Sequence, residues 1–267
     1  MVISTIPNKT AGEKRPNNFV SPDEITWEKL PDDFVLPDDP VDNINQPFLA
    51  AALTDSLGTA GLLSATTLTS TNYGICATVN GKTVVKAPDW AFIRGLRVPR
   101  EEVIRSYTPQ LEGEIPVIVM EFLSGTEGTE YSVKPTYPPG KWYFYERVLK
   151  VPNYAIFDPA NGALETYQLD ESGRYYLRDA DANGRYAIAE LNLFLGVWQG
   201  KREERTGPWL RWWNEAGELL LWSSERAEQE RQRAEQECQR AEQERQRAER
   251  LLAQLREAGI EPLENGS

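Results

Sequence analysis

The sequence predicts a mixed α/β fold, a central sheet flanked by helices, followed by a separate charged helix at the C-terminus. Three observations predict it. Residues 115–123 (Ile-Pro-Val-Ile-Val-Met-Glu-Phe-Leu) form an almost unbroken apolar run, which suits a central strand buried on both faces. Asn80-Gly81 joins two β-rich runs, the strongest short-range hairpin signal. Residues 48–57 and 141–149 carry apolar side chains at helical spacing.

Residues 1–43 are an acidic, Pro- and Asp-rich arm with little periodicity, expected to be disordered or draped over the surface. The domain proper is expected over residues 44–222. Its first helix carries Phe48, Leu49, Ala52, Leu53 and Leu57 and ends at Gly58. The hairpin takes residues 71–79 and 83–87, and a strand over 90–93 follows Pro88-Asp89. After the central strand, residues 125–140 read as loop and close on Pro138-Pro139-Gly140. The helix over 141–149 places Trp142, Tyr145, Val148 and Leu149 at helical spacing. Residues 153–157 and 163–169 form a second hairpin-like pair, 173–177 and 185–195 give later strands, and the Trp-rich stretch 209–222 covers the core. Helices and strands alternating in this order call for a mixed sheet.

From Ser224 the character changes. Arg-Ala-Glu-Gln-Glu-Arg-Gln recurs every seven residues and puts Ala227, Ala234, Ala241 and Ala248 in register, with Leu251, Leu252 and Leu255 at the end. Opposite charges three or four apart, such as Arg226 with Glu230, support an exposed helix over 223–258, with a short tail at 259–267. A coiled coil wants two apolar positions per heptad, and here the second is usually Glu or Arg. Two readings stay open: a solvated charged helix, or weak homo-oligomeric pairing through the Ala and Leu stripe.

Composition narrows the chemistry. The chain has no histidine, which removes Ser-His-Asp and Cys-His catalysis, His-ligated zinc and imidazole acid–base work together. Its two cysteines, Cys76 and Cys238, are too few and too unlike in context for a disulfide framework or zinc cluster. No run has the length of a membrane span, and the first twenty residues lack the apolar stretch of a signal peptide, so a cytoplasmic location without membrane contact is expected. The net charge of −12 looks wrong for a nucleic-acid binder. Its distribution softens that objection: residues 22–43 contribute about −7, whereas residues 44–221 carry 17 basic and 21 acidic side chains.

Within the apolar context three polar residues stand out, each at the edge of a different element. Asp89 follows a proline, Glu121 lies near the end of the central strand, and Lys141 opens the aromatic helix. Adjacent strands would bring the two acids about 4–5 Å apart across the sheet spacing. Carboxylate oxygens suit a hard cation such as Mg²⁺ or Mn²⁺, and an ammonium group can orient water or offset developing charge on a phosphodiester. A cation at a helix N-terminus is unfavourable by a few tenths of a kcal/mol, so Lys141 asks for a reason. The structural alternatives are a turn-capping aspartate and a strand-end glutamate paired with arginine. Lys134 could replace Lys141 but sits in a Pro-rich loop, Asp158 before Pro159 reads as a turn former, and the Trp 209–213 group with Tyr143, Phe144 and Tyr145 reads as core.

Four blocks also carry a resemblance. Pro88-Asp89, Val119-Met120-Glu121-Phe122-Leu123-Ser124, Lys141 four residues before Tyr145, and Val151-Pro152-Asn153-Tyr154-Ala155-Ile156-Phe157-Asp158-Pro159 resemble the bacterial Uma-type family of restriction-endonuclease-like proteins, within the PD-(D/E)XK nuclease superfamily. The similarity runs from about residue 48 to 195. It implies a restriction-endonuclease-like fold and a Mg²⁺- or Mn²⁺-dependent DNA endonuclease in which Asp89 and Glu121 are metal ligands and Lys141 is the catalytic lysine. The chain departs from the superfamily's usual motif, because Leu123 stands where the lysine two residues after the second acid would be. An acid from the first helix often completes such sites, and only Asp55 offers itself here. The rival reading is a nuclease-like scaffold without catalysis that acts as an interaction protein through its charged helix.

Overall fold

A six-stranded sheet divides the protein into two cores, one on each face. The computed structural model describes residues 23–31, 33–34, 44–124 and 128–259. Strands β1 (Ile25–Thr26), β3 (Ile75–Val79) and β4 (Lys82–Lys86) make a small antiparallel sheet. The large sheet has the order β2 (Leu68–Ser70), β5 (Trp90–Ile93), β6 (Ile118–Phe122), β7 (Asn153–Asp158), β8 (Ala163–Leu169), β9 (Tyr175–Leu177). Within that sheet β6 and β7 pair in parallel, joined by the crossover that contains helix α2 (Lys141–Tyr143, continuing as a π-helix over Phe144–Leu149). A third sheet is β10 (Arg185–Ile188), β11 (Leu193–Arg202) and β12 (Arg205–Asn214). Helices α1 (Asn45–Thr59) and α3 (Ser223–Glu257) complete the order. The predicted mixed α/β architecture is present.

Period-two alternation sorts the strand residues between the cores. Trp90, Phe92, Ile118, Met120, Phe122, Ala155 and Phe157 point to the face covered by α1 and the third sheet. Ala91, Ile93, Val119, Tyr154 and Ile156 point to the opposite face, covered by α2 and the small sheet. All five residues of β6 are buried, as the apolar run requires. The Trp-rich stretch covers the first core, with Trp209, Trp212 and Trp222 buried.

Several boundaries differ from expectation for local reasons. The single strand expected over 185–195 is two, broken by a 3₁₀ turn at Ala189–Leu191 and by Asn192 in the left-handed region (φ 54°). Helix α1 runs through Gly58 to Thr59. Part of the acidic arm is draped on the domain: β1 pairs with β3, and Asp23 accepts hydrogen bonds from Asn80 Nδ2 at 2.9 Å and Tyr143 OH at 2.5 Å. Most of the arm and residues 260–267 lie outside the described residues.

The root of α3 is fixed by a buried charge. The Arg211 side chain has no exposed surface; Nη2 donates to Glu225 Oε2 at 2.7 Å and to Leu220 O at 2.8 Å, and its guanidinium lies 3.4 Å from the Trp222 ring centroid. Trp222 Nε1 in turn donates to Ala52 O in α1 at 3.0 Å, and Glu225 Oε2 accepts the Trp222 N–H at 2.8 Å. Beyond this root the helix buries none of its side chains. Glu225→Ala is therefore expected to strand the Arg211 charge. Urea unfolding should show a loss of about 2–3 kcal/mol, below the fully buried case because Glu225 is itself partly exposed.

Candidate active site

Strand register builds the site. Because β5 and β6 pair antiparallel with Trp90 opposite Met120, one further step sets Asp89 opposite Glu121 on the face toward α2. The contacts agree: Asp89 Oδ2 accepts the Phe122 backbone N–H at 2.6 Å. Lys141, the first residue of α2, donates from Nζ to Glu121 Oε2 at 2.8 Å, and Tyr145, one turn on, donates to Glu121 Oε1 at 2.9 Å. Glu121 has no exposed surface and Asp89 is buried, while the Lys141 side chain keeps 24% of its surface. All three sequence-predicted residues thus meet at one place, on one side of the sheet.

Burial dominates the electrostatics. It pushes the Glu121 carboxyl up to about 7, with the Asp89 charge adding to the rise and Lys141 and Tyr145 holding it down. Burial also raises Asp89, to about 6, against the lowering effect of the Phe122 N–H and the Lys141 ammonium. For Lys141, burial disfavours the ammonium, but Glu121 and Asp89 outweigh it and hold the pKa above its ordinary value. The result is a charged lysine beside two facing carboxyl groups that resist ionising together, a state that a cation between them would relieve.

The oxygen-only donor set is chemically suited to a hard divalent ion. It is sparse, however. Among the described residues no group of three or more His, Cys, Asp or Glu side chains could hold a metal. Asp55 does not join the site; it accepts from Arg202 at 3.0 Å and from the Ser223 N–H at 3.3 Å, serving the root of α3. Asp158 is the expected turn former, with Oδ1 accepting the Ala160 N–H at 2.9 Å.

Two further groups belong to the neighbourhood. Glu130, from a 3₁₀ turn over Thr129–Tyr131, is buried with Oε2 unpartnered, and it acts electrostatically on both Asp89 and Lys141. Lys86, at the end of β4, is half-buried, and its ammonium is disfavoured by burial and then by the charges of Lys141 and Lys134. Neither was visible in the sequence. Glu130 lies in a loop without periodicity, and Lys86 looks like any strand-end lysine.

Residues 46–199 match the model of the Uma2 family, whose description is "Putative restriction endonuclease". The chain belongs to the Uma2 family. The match covers the large sheet, α2 and the three site residues, and ends within β11. No curated protein matches the chain. Among the described residues no helix is long and apolar enough to cross a membrane.

The raised Asp89 pKa has a measurable consequence. In the folded state Asp89 keeps its proton over a range where the unfolded chain has released it, so its contribution to stability falls as pH rises from about 4 to 6 and levels off above. With chelator present, wild type should lose stability relative to Asp89→Asn between about pH 4 and 6, read from urea midpoints. A difference that stays flat across that range would contradict the assigned environment.

Proposed function

We propose that this Uma2 protein is a metal-dependent DNA endonuclease that hydrolyses phosphodiester bonds at Asp89, Glu121 and Lys141. The observation that carries the proposal is the junction itself: two facing buried carboxyl groups with a lysine ammonium 2.8 Å from one of them, on strands and a helix that the family match spans. Asp89 and Glu121 would hold Mg²⁺ or Mn²⁺. Two carboxylates suffice where waters and substrate phosphate supply the other positions, as is common for Mg²⁺. When bound, the ion would polarise the phosphate and lower the pKa of water.

The chain's own residues do the rest. Tyr145 fixes the rotamer of Glu121 through Oε1. The Phe122 N–H holds one Asp89 oxygen. Lys141 presents a permanently charged donor at the partly exposed mouth, placed to orient water or to offset charge developing on the phosphate. The absence of histidine leaves this lysine and the carboxyl groups as the proton-handling side chains of the site. Cleavage of cytoplasmic DNA is consistent with these parts.

Wild type should nick plasmid DNA with Mg²⁺ or Mn²⁺, and Asp89→Ala and Lys141→Ala should each lose at least about 100-fold in rate. Equal cleavage by all three proteins would remove the proposal. Calorimetric titration with Mn²⁺ gives a second reading, since Asp89→Ala should abolish the binding heat; a scaffold without catalysis would bind no metal through these residues.

We also propose that α3 associates with a second copy through its terminal leucines. Leu251 and Leu252 are 51% and 39% exposed on a helix that buries nothing, and the alanine stripe continues their line. Replacing Leu251, Leu252 and Leu255 by Ser in the full chain should lower the sedimentation mass to that of a monomer. An unchanged mass would mean that the helix is only solvated.

A further inference from the structure

Lys86 stands in a position that ordinary packing does not explain. Lysine on an edge strand commonly guards against strand addition, and β4 is an edge of the small sheet. That accounts for Lys82, which is exposed and lies with Nζ 5.0 Å from the centroid of the Tyr137 ring. It does not account for Lys86, which is half-buried on the face of β4 that also carries buried Val84, and whose side chain has no hydrogen bond or ion pair among the described residues.

The segment that carries Lys134 is fastened rather than loose. Gly140 N donates back to Lys134 O at 2.9 Å, and Tyr143 N donates to Ser132 O at 3.3 Å. Tyr137 OH donates to Thr83 O in β4 at 3.1 Å, which ties the segment to the strand bearing Lys86. Gly140 packs so tightly that a Cβ there would sit 2.1 Å from Ser132 O. Lys86 lies three residues before Asp89, and Lys134 is bonded through its carbonyl to the residue before Lys141, so the segments carrying the three lysines converge on Glu121 and Asp89; of the three, Lys141 is the one with a carboxylate ion pair among the described residues. Repulsion among them is a standing cost, which an anion bound at that place would offset.

We infer that Lys86 and Lys134 form a binding subsite for a backbone phosphate of the nucleic-acid strand, adjacent to the phosphate that Lys141 faces. This inference rests on the nuclease reading. Lys86 and Lys134 touch phosphate without taking part in bond breaking, so they are positioning residues. In a chain of net charge −12, the general field does not attract a polyanion, and local cations must do so.

Fluorescence anisotropy of the full chain with a labelled DNA duplex in EDTA, across a salt series, tests it. Lys86→Gln and Lys134→Gln should each weaken binding by a similar factor on unrelated sequences and lower the slope of log affinity against log salt by about 1. Lys86→Arg should restore the slope, and Lys201→Gln, which removes a lysine paired to Glu204 on the β11–β12 hairpin, should leave it unchanged. In Mg²⁺ cleavage assays the two Gln variants should raise KM while Lys141→Gln lowers kcat, with thermal melts confirming that each variant folds. Wild-type binding and cleavage that neither Gln variant alters in slope or KM would overturn the subsite and leave the nuclease reading standing. Binding with the expected slope change but no cleavage in any metal would support the subsite and overturn the nuclease reading. No binding and no cleavage by wild type would overturn both.

Discussion

The constraint on which the site depends is the placement of a fully buried carboxylate, Glu121, in a central strand. Such a group is costly to desolvate unless its oxygens are satisfied. Here each oxygen has one partner, Lys141 on Oε2 and Tyr145 on Oε1, and both come from the same helix. That explains why α2 must dock against this face of the sheet, and at this height. The helix starts at Lys141 after a tight Gly140, so its first turn is delivered straight onto β6. The dipole penalty for a lysine at that end is offset by the carboxylates beneath it.

The second buried charge, Arg211, follows a different logic. It lies on the other side of the large sheet, where its partners are Glu225, the Leu220 carbonyl and the faces of Trp222 and Trp198. The Arg211 side chain itself is completely covered. It fastens the start of α3 to α1 and to the third sheet, and Arg226 extends the attachment by donating to Thr59 O at 2.8 Å. Each buried charge has a partly exposed partner, Lys141 at 24% for Glu121 and Glu225 at 30% for Arg211. What separates the candidate site from the structural one is the balance of charge: Arg211 is matched by a bidentate Glu225, whereas Glu121 shares its lysine with a second carboxyl, Asp89.

Much of this was legible in the sequence because β-structure has a strict period. The unbroken run at 115–123 marks a strand covered on both faces, and an acid inside it must be satisfied by something. Asp89 precedes a strand that pairs with β6, so the two acids fall on the same face whenever their register is in step. Lys141 was conspicuous because helices disfavour a cation at their start. What escaped is what tertiary structure alone decides. β1 is two residues that pair only because β3 offers an edge. Asn192 breaks the expected strand by a backbone conformation that composition does not announce. Glu130 and Lys86 reach the site through the folding of a loop and a hairpin that are distant in sequence, and no local pattern encodes such convergence.

The acidity of the chain is compatible with a phosphodiester substrate once charge is located rather than summed. About −7 lies in residues 22–43, part of which is tied by Asp23 to Asn80 and Tyr143 at the small sheet. Over residues 44–221 the balance is near −4, and Asp89 and Glu121 resist carrying full charge together. Lys86 at the end of β4 and Lys134 before α2 act electrostatically with Lys141, which pairs with Glu121 of that carboxyl pair. At ordinary ionic strength salt screens exposed charges that lie more than about 8–10 Å away. The relevant quantity for a backbone phosphate at the mouth of the site is therefore set by these few side chains, and the net charge mainly limits non-specific attraction at longer range.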